Sequence, residues 1–96
     1  MTPVQTNIKW DEVAYEKYQL MITKIPLFHR EIAKQVVDKK AVINAVERGS
    51  SKVEEGDIVR AFLSEVPMTF YSLMVRLFDE VGFQYKRFES KGGQGG

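Results

Sequence analysis

The chain has 96 residues, a formal net charge of +1, 44% apolar and 28% charged residues. That is enough for one domain with a modest core, and the near-neutral balance argues against a protein built mainly around phosphate neutralisation. There is no cysteine, which excludes disulfides, thiolate zinc sites, cysteine-ligated iron–sulfur clusters and cysteine nucleophiles.

No apolar run approaches the ~20 residues of a membrane span. The first nine residues lack the apolar stretch of a signal peptide, so the expected location is cytoplasmic with no membrane partner. Residues 1–9 read as a flexible leader. Trp10-Asp11-Glu12 then opens a helix, with Asp11 as N-cap and Glu12 favoured by the dipole in the first turn. Ala14, Tyr18, Met21, Ile22 and Ile25 follow at helical spacing and form its apolar stripe. Pro26 disfavours the α conformation at Ile25 and ends the helix.

Pro26 also suits the start of a second helix, where its missing N–H costs nothing. This helix runs from Leu27 to about Arg48 and is the longest element. Phe28, Ile32, Val36, Ile43 and Val46 read as its buried stripe. Ala33, Val37, Ala41 and Ala45 widen that stripe, and the stems of Lys39 and Lys40 lie along its edge. Gly49 is the expected C-terminal stop, and Ser50-Ser51-Lys52 a short loop.

A third helix begins near Glu54, with Val53 stapled against Ile58 and Asp57 in the first turn. Gly56 weakens it only slightly, because it lies at the start. Ile58, Val59, Phe62, Leu63 and Val66 are its buried positions. Pro67 repeats the Pro26 device and starts a fourth helix, whose apolar face is Phe70, Met74, Leu77, Phe78 and Val81. Gly82 ends it. Phe83, Tyr85 and Phe88 then alternate with polar residues. A lone strand has no partner here, so an extended strap over the core is favoured. Residues 89–96 (ESKGGQGG) read as a disordered glycine-rich tail. The expected fold is therefore all-α, with a four-helix single domain over residues 10–88, a long second helix and a C-terminal aromatic strap. No internal repeat is present.

Chemistry-bearing groups are few. His29 is the only histidine, and a zinc set needs partners that the chain does not supply. Glu31 lies close in sequence but on another side of the helix. Glu54, Glu55 and Asp57 cluster as carboxylates. A metal or acid/base group competes with a negatively charged helix N-terminus, and the latter explains them without a ligand. Gly92-Gly93-Gln94 matches the tripeptide with which release factors hydrolyse peptidyl-tRNA, and Gly95-Gly96 the end of ubiquitin-like sulfur carriers. Neither has its surrounding domain here, so a flexible tail or cloning remnant accounts for both. Glycine-rich phosphate loops, nucleophile elbows and dinucleotide fingerprints are missing. No catalytic residue, metal site or cofactor is expected, and an enzyme working through His29 or the Glu54–Asp57 carboxylates is the least supported reading. Aromatic residues are 11% of the chain. Most belong in a core, and an excess near the C-terminus suits a groove for a flat apolar ligand or a partner helix.

Trp10 with Ala14, then Ile25-Pro26-Leu27-Phe28-His29-Arg30, then Ala45 with Gly49, and Val53 with Ile58-Val59-Arg60-Ala61 form a connected pattern. It resembles the small C-terminal domain of the B subunit of light-independent protochlorophyllide reductase (the PCP reductase-like domain), which also occurs as free-standing small bacterial proteins. The resemblance covers roughly residues 10–65. This chain carries about four more residues between Ala14 and Pro26, and again between Arg30 and Gly49. Each is one helical turn, as in a lengthened antiparallel hairpin. In the family enzyme this domain is an appendage beside the tetrapyrrole pocket, and the reductase chemistry lies in other domains and their clusters. The resemblance therefore implies a non-catalytic accessory module that binds a protein partner or an apolar tetrapyrrole-like ligand, with Trp10, Phe28, His29 and Arg30 as the binding residues. In the functional account Arg30 meets a ligand carboxylate or a partner's acid. In the structural account, which is favoured, Ile25, Pro26 and Phe28 shape the helix corner and Arg30 pairs a carboxylate or helix end.

Gly49, Val53, Asp57-Ile58 and Ala61 also resemble the last loop and helix of histone-fold proteins. That alternative implies DNA binding or dimerisation. The segment from Ile25 to Gly49 is short for it, and the near-neutral charge disfavours nucleic acid as partner. The oligomeric state stays open.

Overall fold

The computed structural model describes residues 8–86. Four α-helices build the domain: α1 (Glu12–Lys24), α2 (Leu27–Glu47), α3 (Glu55–Glu65) and α4 (Tyr71–Val81). The expected all-α architecture is present. The tail and Phe88 lie outside the described residues.

Asp11 holds extended backbone, and its carboxylate accepts the Ala14 N–H at 2.9 Å. It thereby satisfies one of the donors left free at the start of α1. Ala14, Tyr18, Met21, Ile22 and Ile25 are all buried. Ile25 turns to extended backbone (φ −80°, ψ 139°) before Pro26, as the proline ring demands. Pro26 occupies the N-cap position of α2, one place earlier than its usual first-turn position. At the far end, Gly49 takes φ 75°. The Ser50 N–H reaches Ala45 O at 2.9 Å and the Gly49 N–H reaches Val46 O at 3.0 Å. This double bond pattern needs a left-handed residue, which glycine supplies without a Cβ clash.

A small element was not expected. Lys9–Trp10 (β1) and Lys52–Val53 (β2) pair in parallel, with Trp10 across from Val53. The Asp11 N–H extends the ladder to Val53 O at 2.8 Å. Trp10 is therefore strand rather than helix. The folded domain already includes Lys9, and Ile8 packs against the core. The leader ends earlier than its polar composition suggests, because pairing with β2 supplies backbone partners that local sequence does not reveal.

The α2 stripe requires a larger correction. Val37, Ala41 and Ala45 face the core, while Phe28, Ile32, Val36 and Val46 are exposed and Ile43 is half-exposed. Two apolar stripes run along α2, and their helical spacing does not choose between them. The small-residue stripe wins because it allows close helix approach, and Ala61 of α3 is buried in the same core. Leu63 of α3 and Val66 just beyond its end are half-buried.

Pro67 starts a single 3-10 turn (Met68–Phe70) before α4. Phe70 is partly exposed there, whereas Met74, Leu77, Phe78 and Val81 are buried. Gly82 closes α4 with φ 88°. Phe83 and Tyr85 then fold back as an irregular strap. Tyr85 stacks on Phe78 (centroids 5.4 Å apart) and Phe83 meets it edge-on (6.1 Å). The Glu55 carboxylate accepts the Gln84 N–H at 2.7 Å, and Lys17 Nζ donates to Gly82 O at 3.1 Å. An aromatic chain Trp10, Tyr18, Phe62, Phe78 crosses the core, with successive centroids 5.6, 5.8 and 5.9 Å apart.

A candidate recognition groove

The two proline corners define the site. Ile25-Pro26 and Val66-Pro67 each place an extended residue before a proline, and Val66 has φ −91° and ψ 134°. Each corner interrupts helical packing and leaves apolar side chains near a chain reversal. In the folded chain both corners line one groove of about 250 Å³. Its walls are Ile25, Pro26, Ile32 and Val36 on one side and Val66, Pro67, Phe70 and Leu73 on the other; His29 and Glu65 are its polar members. Apolar exposure continues on the residues that follow the two prolines. Phe28 is 82% exposed, Met68 80% and Leu27 75%.

Of the four residues expected to bind, only His29 lines this groove, and Phe28 stands beside it, exposed. The Phe28 ring meets the His29 imidazole edge-on at 5.5 Å, and the imidazole in turn sits 5.9 Å from the Phe70 ring. Arg30 is turned away from such a role. Its Nε and Nη2 donate to Ile25 O at 3.2 and 3.0 Å, and Nη2 donates to Thr23 O at 2.9 Å. These are carbonyls at the end of α1, where a cation is favoured. Trp10 does not line the groove. It stacks on Tyr18 and borders a separate polar depression with Asp11, Glu12 and Lys52.

The carboxylates at the start of α3 are structural. Asp57 is buried to 1% exposure. Arg48 Nε donates to its Oδ1 at 2.8 Å and Arg48 Nη2 to its Oδ2 at 2.7 Å. The Glu54 N–H reaches Oδ2 at 2.8 Å, Arg60 adds a longer contact at 3.4 Å, and Asn44 holds the Asp57 carbonyl at 3.0 Å. The buried carboxylate is thus both a helix cap and an ion-pair centre. Hydrogen bonding to Asp57 also raises the Arg48 guanidinium above its ordinary range. Glu55 is engaged by Lys17 and by the strap. Among the described residues no group of three or more His, Cys, Asp or Glu side chains is placed to hold a metal ion.

A second network was not legible in the sequence. The Tyr18 hydroxyl donates to Asp38, whose other oxygen is paired with Lys34 at 3.1 Å. Burial pushes the Tyr18 phenol far up, and Asp38 beside it adds to the shift. The hydrogen bond from Lys34 to Asp38, followed by their charge attraction, raises the Lys34 ammonium as well. Only the i, i+4 spacing of Lys34 and Asp38 hints at this. The groove itself has a readable signal, the repeated apolar-Pro device at residues 25–26 and 66–67.

Comparison of the chain with protein-family models, curated proteins and solved structures finds no match.

Proposed function

We propose that this protein is a non-catalytic helical binding module whose groove between the two proline corners receives the apolar face of a protein partner. The observation that carries the reading is the convergence of Ile25-Pro26 and Val66-Pro67 on one apolar groove, whose lining includes the exposed side chains of Ile32, Val36 and Phe70. A concave apolar site with few polar members is the usual form of a recognition site, and exposed apolar surface of this extent marks an interaction face. An amphipathic helix laid into such a groove uses anchors at i, i+3 or i+4 and i+7.

A protein partner is favoured over a tetrapyrrole. The groove volume lies below the ~300–1,000 Å³ of ordinary small-molecule pockets. Arg30 directs its Nε and Nη2 donors to backbone carbonyls at the end of α1 and does not line the groove. The DNA-binding alternative draws little from the surface, because Lys17, Lys24, Lys34, Arg48, Lys52 and Arg60 all face carboxylates.

Titration of the dilute chain with the apolar dye bis-ANS tests the reading. Saturable fluorescence enhancement is expected, and Ile32→Glu abolishes it. Enhancement unchanged in that variant contradicts the groove as the site. Porphyrin titration read by Trp10 fluorescence should give no saturable change, and a low-salt gel-shift series should show no retardation.

A further inference from the structure

We infer that the partner seated in the groove is a second copy of this chain, with Phe28 of each copy entering the other's groove about a two-fold axis. The inference rests on the reading of the groove as a recognition face and names its occupant.

Knob and groove lie side by side on one face. The Phe28 ring projects into solvent beside His29, which lines the groove. A two-fold interface requires one surface to carry both the inserting and the receiving element, and this face carries both. Phe28 is also the kind of aromatic anchor that dominates interface energetics.

The area is right for such a pair. Phe28, Ile32, Val36, Met68 and Phe70 are all exposed. Together they offer on the order of 600 Å² of apolar surface, taking ~200 Å² for a fully exposed large side chain. That lies at the top of the ~300–600 Å² of the largest patch on a typical monomer. Two such faces together reach the ~1,200 Å² lower edge of a standard stable interface.

Sedimentation velocity of the full chain from about 1 µM to about 500 µM spans the affinities expected of an interface this size. The mass should double across the range. Phe28→Glu and Ile32→Glu should both stay monomeric with unchanged helical circular dichroism, since both positions are exposed. Val13→Glu, on the exposed side of α1, should dimerise as the unmodified chain does. A chain monomeric throughout, a dimer that survives both groove-face variants, or a dimer lost equally in Val13→Glu overturns the inference. A monomer that still binds bis-ANS through Ile32 rejects the second copy while leaving the groove as a recognition face. A monomer that binds no dye rejects both.

Discussion

Arg48 grips the buried carboxylate of Asp57 with two near-parallel hydrogen bonds of 2.8 and 2.7 Å, tying the end of α2 to the first turn of α3. Asp57 also accepts the Glu54 N–H, so one side chain closes a helix start, an interhelix joint and a buried charge. Asp57→Ala removes all three and leaves Asp57's donors without their acceptor. The expected loss is about 1–3 kcal/mol, that of a helix cap and charged hydrogen bonds, because Arg48 and Arg60 stay solvated. Urea unfolding followed by circular dichroism should show the midpoint fall. Asp57→Asn, which keeps an acceptor for the cap, should lose less.

Tyr18 gives the fold an alkaline limit. Its folded-state pKa is raised by burial and by Asp38, above the unfolded value of about 10. The folded state therefore favours the protonated phenol. That contribution is fully present below about pH 10 and declines as pH rises further. Tyr18→Phe should lose about 1.5–3 kcal/mol at neutral pH through the missing hydrogen bond to a charged acceptor. Its stability should then fall less steeply above pH 10 than that of the unmodified chain. Parallel slopes in the two proteins would contradict the assignment.

The two stripes of α2 should separate cleanly under mutation. Phe28→Ala and Ile32→Ala touch exposed side chains and should change monomer stability by no more than about 0.5 kcal/mol. Val37→Ala, at a fully buried position, should cost roughly 1.5–3 kcal/mol, and Phe62→Ala in the aromatic chain about 3–5 kcal/mol. Thermal unfolding at dilute concentration distinguishes the two sets.

Gly49 needs its left-handed backbone rather than its small size, because a Cβ there would meet nothing within 4 Å. Gly49→Ala should therefore cost about 1–2 kcal/mol from backbone strain alone. Gly49→Asn should cost less, since asparagine tolerates that conformation. Chemical denaturation of the two variants measures the difference.

Local chemistry made much of the fold legible. Asp11, Pro26, Gly49, Pro67 and Gly82 mark helix ends by backbone rules that act within a few residues, and each stands at or beside an observed boundary. The α1 stripe and the strap from Phe83 to Tyr85 were readable for the same reason, as one dominant apolar pattern faced no competitor. The α2 face was not, because two apolar stripes compete and the winner depends on how closely α3 approaches. The pairing of Trp10 with Val53 was hidden by the sequence distance between them. At the site, His29 of the corner motif lines the groove. The roles of Arg30 and Trp10 turn on non-local partners, the carbonyls of α1 and the Tyr18 ring, that spacing does not disclose.

The groove between the proline corners is tested most directly by nitrogen–proton NMR of the dilute, isotope-labelled chain on addition of bis-ANS. Amide shifts should concentrate in residues 25–36 and 66–74, leaving residues 9–11 and 51–53 around Trp10 unmoved. Shifts centred on Trp10, or spread evenly over all four helices, would contradict the groove as the recognition face.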